Sequence, residues 1–313
     1  MKFFNRYTQE LEEEKTPNET CLYLIYTTRF GHILLHLLLK RVLVSKIFGL
    51  FMNLRISRRK IASFVQRYNI DLNQFEEKPK GYKHFNDFFR RKFRYGVRPI
   101  CADDDTLCFP AEGRHIGFAD VDFEQTFFVK GKHFTLEKLV NNRAVAEYFR
   151  GGSCVISRLS PVDYHRFHFP CDCVPQKSYC INGTLLSVHP IALREGFRVF
   201  CENKRWMTVL KSETLGTILM LEVGATLVGS VKQTFKPFNA VKKGAEKGFF
   251  SFGGSTVITI FERGRVELSD DLLYCTQRGF ELYAHVGDFM GQRAGVWEGC
   301  YAEFSEDGET FIE

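Results

Sequence analysis

The sequence predicts an α+β protein: a helical, amphipathic N-terminal region over residues 1–98, followed by a β-rich domain over residues 99–313. Three observations predict it. Leucine-rich sequence from Thr28 to Leu54 is broken by His32, His36, Lys40, Arg41 and Lys46. A run of basic residues follows, and from about Pro99 the chain turns to β-branched and aromatic segments separated by Gly, Asn, Asp and Pro.

Residues 1 to about 20 carry Glu10, Glu12, Glu13 and Glu14 and read as a frayed start or a surface turn. In the next segment the interruptions leave no stretch of about 20 apolar residues, the length that spans a bilayer. One or two interfacial helices fit better, with Lys and Arg stems reaching water while the leucine face sinks. Then come Arg55, Arg58, Arg59, Lys60, Arg67, Lys78, Lys80, Lys83, Arg90, Arg91, Lys92, Arg94 and Arg98, opposed only by Asp71, Glu76, Glu77 and Asp87. Such a cluster beside an apolar helix suits an anionic lipid surface, each cation contributing about 1 kcal/mol. A solvated helix face packed on the main domain is the plainer reading. No nucleic-acid-binding motif accompanies the charge, so no nucleic acid is expected as partner.

In the β-rich part, Thr126–Val129, Cys154–Ile156, Thr217–Val223 and Thr256–Phe261 read as strands. Leu136–Phe149 and the region around Ile191 read as short helices. A net charge of +6 is modest for 313 residues, so its distribution matters more than its size. Ten cysteines without a Cys-x-x-Cys pair or a secretory signal imply reduced thiols in a cytosolic compartment.

Three elements could carry chemistry. Gly253-Gly254-Ser255-Thr256 runs straight into a strand. Alone it is a turn or β-bulge, but the glycines leave the peptide bond before Ser255 unusually accessible. In Asp163-Tyr164-His165-Arg166-Phe167-His168-Phe169-Pro170, two of the nine histidines stand three apart. Each is a structural hydrogen-bonding group or a general acid–base. Phe109-Pro110-Ala111-Glu112-Gly113 holds a carboxylate in a turn; with His168 and Ser255 it would complete an acid–base–nucleophile set. A rival reading gives His165, His168, Cys171 and Cys173 to a metal, but their spacing matches no familiar zinc site, and no metal is expected.

The chain resembles the phosphatidylserine decarboxylases, a pyruvoyl-dependent group, from about Thr28 to the C-terminal region. The resemblance rests on Phe85-Asn86-Asp87-Phe88-Phe89-Arg90-Arg91-Lys92, Arg98-Pro99-Ile100, Pro110-Ala111-Glu112-Gly113 and the two-histidine motif. It continues through Ile181-Asn182-Gly183, Glu222-Val223-Gly224-Ala225 and Gly244 to Thr256. Each motif is weak; the ordered set is specific.

That resemblance implies a proenzyme cut at Gly254–Ser255 into a β chain (1–254) and an α chain (255–313) that stay associated. His168 would activate Ser255, Glu112 would orient His168, and Ser255 would become a pyruvoyl group. The pyruvoyl would form a Schiff base with phosphatidylserine in the membrane, and His165 would protonate the carbanion left after CO₂ departs, giving phosphatidylethanolamine. The expected place is peripheral, on the cytoplasmic face of the cell membrane, and a homodimer is compatible. Two departures stand out: Glu112 replaces the family's usual Asp, with Asp163 and Asp120 as substitutes, and Gly253 replaces a Leu. The alternatives are a pyruvoyl-dependent decarboxylase of a soluble amino acid and a Ser-His-Glu hydrolase, although the latter's Gly-x-Ser-x-Gly elbow is absent.

Overall fold

The computed structural model describes residues 2–14, 19–35, 42–121, 135–188, 191–192, 199–225, 231–251 and 255–295. It is α+β, as expected. Its largest sheet has ten strands among the described residues, in the order β2-β1-β15-β4-β5-β13-β10-β9-β7, with β8 also on β9. These are β1 (Lys2–Asn5), β2 (Glu10–Glu13), β4 (Gly113–Val121), β5 (Gly152–Leu159), β7 (Val174–Pro175), β8 (Tyr179–Ile181), β9 (Arg205–Ser212), β10 (Gly216–Val223), β13 (Ser255–Phe261) and β15 (Glu281–Ala284). Two three-stranded sheets pack alongside. One joins β11 (Val231–Gln233), β12 (Glu246–Phe250) and β6 (Arg166–His168). The other joins β14 (Val266–Leu268), β16 (Phe289–Arg293) and β3 (Thr106–Cys108).

The central strands are nearly unbroken in apolar character because both faces of the large sheet are covered. On β13, Ile258 and Ile260 enter one core with Ile156, Leu219 and Leu221. Val257 and Phe261 point the other way, into a core with Val155, Ile218, Met220, Phe167 and Phe250. The strands expected at Cys154–Ile156, Thr217–Val223 and Thr256–Phe261 are β5, β10 and β13. Leu136–Phe149 divides into two helices, Leu136–Val140 and Arg143–Tyr148, because Asn141 takes a left-handed cap and Asn142 caps the second helix. The strand expected at Thr126–Val129 lies outside the described residues.

The N-terminus corrects the expectation of a frayed start. Residues 2–13 form a hairpin whose first strand lies parallel to β15, with Phe3 opposite Glu281, so this segment belongs to the large sheet. Phe3 is buried, and Glu14 accepts from Arg158 at 2.8 and 3.1 Å inside the protein. Arg158 also pairs with Glu281 at 2.7 Å. Glu14 looked solvated because its cationic partner lies 144 positions away in sequence, whereas Glu10 and Glu13 are exposed.

Helices α1 (Glu19–Thr27), α2 (Arg29–Leu34), α3 (Val42–Met52), α4 (Arg59–Tyr68) and α5 (Phe85–Phe89) occupy the region read as helical. Met52, Ile61, Tyr82, Phe85, Phe88 and Phe89 make a separate small core between them. Outside it, Phe30, Ile33, Ile47, Leu50, Phe51, Leu54 and Ile56 are exposed. No helix among the described residues is long and apolar enough to cross a membrane.

Candidate active site

Ser255 is the first residue of β13, fully buried, and opposite Leu159 at the end of β5. Beyond that pair both chains leave the large sheet and pair again in the smaller one, where β12 meets β6 through Phe249 opposite Arg166. Phe250 N–H donates to the His165 carbonyl at 2.9 Å. The loop 160–165 therefore crosses a break between the two sheets. Ser255 stands on one side of that break and both histidines on the other. Gly253 and Gly254 lie outside the described residues. The Ser255 hydroxyl has no hydrogen-bond partner among the described residues, and neither has that of Ser160, the residue after Leu159.

Each histidine has its tautomer set by a backbone carbonyl, which can only accept. His165 Nδ1–H donates to Asp163 O at 2.9 Å, and its ring lies 3.8 Å from that of Phe89. His168 Nδ1–H donates to Gly244 O at 2.8 Å, leaving Nε2 as the basic nitrogen, which takes the Tyr164 hydroxyl at 3.3 Å. Gly244 presents that carbonyl at φ +75°, a backbone region that favours glycine. Burial holds the His168 pKa below its ordinary 6.5, against the opposing pull of the Gly244 carbonyl. His168 is thus a free base at neutral pH.

Glu112 takes a different partner from the one expected. Its carboxylate is gripped by the Arg98 fork at 2.7 and 3.1 Å, with the Tyr283 hydroxyl 3.5 Å away. The orienting bond to His168 comes from Gly244 instead. Glu112 and His168 are joined indirectly: Arg98 lies over Phe93, Phe93 stacks on Tyr164, and Tyr164 reaches His168. The His168 N–H also donates to Pro110 O at 2.7 Å, two residues before Glu112. Gly113 is required by close approach, since a Cβ there would meet the Arg158 carbonyl oxygen at 2.4 Å. Of the substitutes, Asp163 is spent on Arg114 at 2.5 Å and on Ser160 N at 2.6 Å. Asp120 is exposed, seven residues along β4 from Gly113. Among the described residues no three His, Cys, Asp or Glu side chains could share a metal ion, so the His165–Cys173 ligand set does not assemble.

The family model described as phosphatidylserine decarboxylase matches residues 85–278. The chain belongs to the phosphatidylserine decarboxylase family. The phosphatidylserine decarboxylase proenzyme of Chlamydia pneumoniae is 40% identical over 291 residues, covering 93% of this chain and 97% of its own length. That of Clostridium beijerinckii is 38% identical over 293 residues, covering 94% and 99%. That of Fusobacterium nucleatum is 39% identical over 291 residues, covering 93% and 97%.

In this family member, several residues that shape the site had carried no role in the sequence reading. Arg91, counted there among surface cations, is buried between the rings of Phe75 and Phe88. Burial draws its pKa down to about 10. One of its nitrogens donates to the carbonyls of Val162 and Asp163 at 2.7 and 2.9 Å, holding the loop that bears His165. Arg98, Tyr164 and Gly244 complete the set. Their one sequence signal was membership in the quoted motifs, because a buried arginine and a solvated one look alike in sequence.

Proposed function

We propose that this chain is a self-processing phosphatidylserine decarboxylase. The observation that carries the reading is the buried Ser255 hydroxyl, without a partner among the described residues, at the head of a central strand in a member of this family. His168 Nε2 exchanges the Tyr164 hydroxyl for that of Ser255 and takes its proton. Ser255 Oγ then attacks the Gly254 carbonyl carbon, the peptide C–N bond breaks, and an ester replaces it. β-Elimination expels residues 1–254 with a terminal carboxylate. The dehydroalanine left at 255 takes up water and loses ammonia, leaving a pyruvoyl group on Thr256.

The residues present fit such a group. Position 255 is fully buried, is held between β5 and β10 through β13, and pairs with Leu159, the residue before Ser160, whose hydroxyl has no hydrogen-bond partner among the described residues. When formed, the pyruvoyl carbonyl captures the substrate amine and accepts the electrons released as CO₂ leaves. His165, with Nδ1 committed to Asp163 O and its ring held against Phe89, returns a proton to the substrate carbon. A lipid substrate is supported by the helical region: Phe89 of α5 touches His165 and shares a core with Met52 and Ile61. Leu50, Phe51, Leu54 and Ile56 stand exposed beside Arg55, Arg58, Arg59 and Lys60. This face docks peripherally on an anionic leaflet and brings the headgroup to the site.

Intact mass of the purified protein tests the reading. Two chains split before residue 255 are expected, with the smaller one trapped by a carbonyl-reactive amine. Ser255→Ala should stay one chain, inactive on phosphatidylserine vesicles. A stable full-length chain with an intact Ser255 would overturn the proposal. Faster turnover of a free amino acid than of the vesicle lipid would reassign the substrate.

A further inference from the structure

Two free cysteines, Cys101 and Cys108, close a short loop away from Ser255. Thr106 N–H donates to Asp103 O at 3.1 Å and Asp105 N–H to Asp103 Oδ1 at 3.0 Å, folding the loop back on itself. Both cysteines meet the same stretch of chain: Cys101 N–H donates to Gly287 O at 3.0 Å, and Cys108 pairs with Phe289 on β16. Cys101 is partly exposed and Cys108 is buried.

The surroundings favour a negative sulfur at Cys101. The Lys243 ammonium caps the loop, donating to Thr106 Oγ1 at 2.8 Å, to Thr106 O at 3.3 Å and to Asp103 O. Thr106 shares its one hydroxyl hydrogen between Asp103 O at 2.6 Å and Cys101 Sγ at 3.5 Å. Cys108 follows Thr106 by two residues on β3, which puts both side chains on the same face, and its thiol donates to the Phe169 carbonyl at 3.6 Å.

We propose that Cys101 is a peroxide-reactive thiolate and that Cys108 resolves its oxidised form, closing a Cys101–Cys108 disulfide. The Cys101 sulfur attacks a peroxide oxygen, the O–O bond breaks, and Cys101 becomes a sulfenic acid while hydroxide, once protonated, leaves as water. Cys108 then attacks that sulfur, the S–O bond breaks, and a second water departs. Two thiols lose two electrons and one hydrogen peroxide is reduced to two waters. The titration agrees with the geometry. Cys101 is drawn down to about 6, first by the hydrogen bond from Cys108 and then, against burial, by Thr106 and Lys243. The same bond, with burial, pushes Cys108 up, so Cys101 attacks and Cys108 resolves.

The centre adjoins His168 on two segments. Lys243 precedes Gly244, whose carbonyl orients His168, and Cys108 donates to the carbonyl of Phe169, the next residue. Closing the disulfide removes that donor, so it is felt at His168.

The test treats the full-length gene product, as purified, with hydrogen peroxide, alkylates the remaining thiols and maps the peptides. The expected product is a Cys101–Cys108 crosslink about 2 Da lighter than the two reduced peptides and reversed by dithiothreitol, with Cys171 and Cys173 unlinked. Cys108→Ser should retain a sulfenic acid at Cys101 that a 1,3-diketone captures; Cys101→Ser should give neither product. In reduced protein, iodoacetamide should modify Cys101 with a midpoint near pH 6, against about 8.5 for an unperturbed thiol. A midpoint near 8.5, or peroxide treatment yielding neither crosslink nor sulfenic acid, overturns the site. The imidazole resonances of His168 should shift on oxidation of the wild type and stay fixed in Cys101→Ser. A crosslink that leaves them unmoved overturns the coupling to His168. None of these readouts depends on decarboxylation, so they stand apart from the test of the proposed function.

Discussion

Replacing Lys247 with Met should both destabilise the protein and slow its self-cleavage. Lys247 and Glu222 form an ion pair at 2.7 Å with neither side chain exposed to solvent. The ammonium uses all three donors, on Glu222, on Thr208 Oγ1 at 2.9 Å and on Gln233 Oε1 at 3.0 Å. Glu222 takes its remaining bond from Gln233 Nε2 at 2.7 Å. Burial pulls Lys247 down and pushes Glu222 up, and their mutual contact opposes both shifts. Lys247→Met keeps the volume but strands a buried carboxylate with one donor, a change that costs about 3–5 kcal/mol.

The double variant Lys247→Met/Glu222→Gln removes the stranded charge and should recover about 2 kcal/mol of that loss. Urea unfolding in a Ser255→Ala background, which should hold the chain in one piece, measures the stability terms. The cleaved fraction over time in the Ser255 background measures the effect on processing. Lys247 lies on β12, just before the link proposed to carry the scissile bond, and Glu222 lies opposite Val257, just after it. Loosening the pair therefore loosens both ends of that link. A single-variant cost below about 1 kcal/mol, or a double variant no better than the sum of its parts, would refute this reasoning.

Self-cleavage should rise with pH and level off, with a midpoint below 6.5, because His168 must be neutral to act and burial lowers its pKa; a midpoint above 6.5 would remove His168 as the base. Glu112→Gln and Arg98→Lys should slow self-cleavage to similar extents, since each breaks the same two-bond fork, and cleaved fraction against time is the readout. Normal cleavage in both would take Glu112 out of maturation. Leu50→Glu/Phe51→Glu should weaken sedimentation with anionic vesicles by more than tenfold, since each apolar side chain is worth about 1.5–3 kcal/mol on burial; unchanged sedimentation would place the membrane contact elsewhere.

The central strands were legible in the sequence because their composition suits only a sheet covered on both faces, as Val257 to Phe261 shows. The two histidines and the serine were legible as motifs. Their partners were not. His168 is oriented by Gly244, 76 positions away, through a carbonyl that every residue possesses and no sequence pattern marks. Glu112 looked like its orienter because a carboxylate, an imidazole and a hydroxyl suggest a relay. Arg98, 14 positions before it, claims that carboxylate with two bonds. Glu14 was misread for the same reason: a long-range ion pair to Arg158 buries it, while Glu10 and Glu13 of the same run stay exposed.

The break between sheets sets Ser255 on one side and the two histidines on the other. A continuous sheet would commit the backbone around Ser255 to ladder hydrogen bonds and leave little room for attack on a peptide carbonyl. By pairing β5 with β13 and β6 with β12, the fold keeps both flanks rigid and leaves the segment 160–165 outside either ladder. Arg91 and Arg114 stiffen the histidine side through the Val162 and Asp163 carbonyls and the Asp163 carboxylate. Lys247 and Glu222 stiffen the serine side. Buried charge thus flanks the proposed cleavage site on both sides.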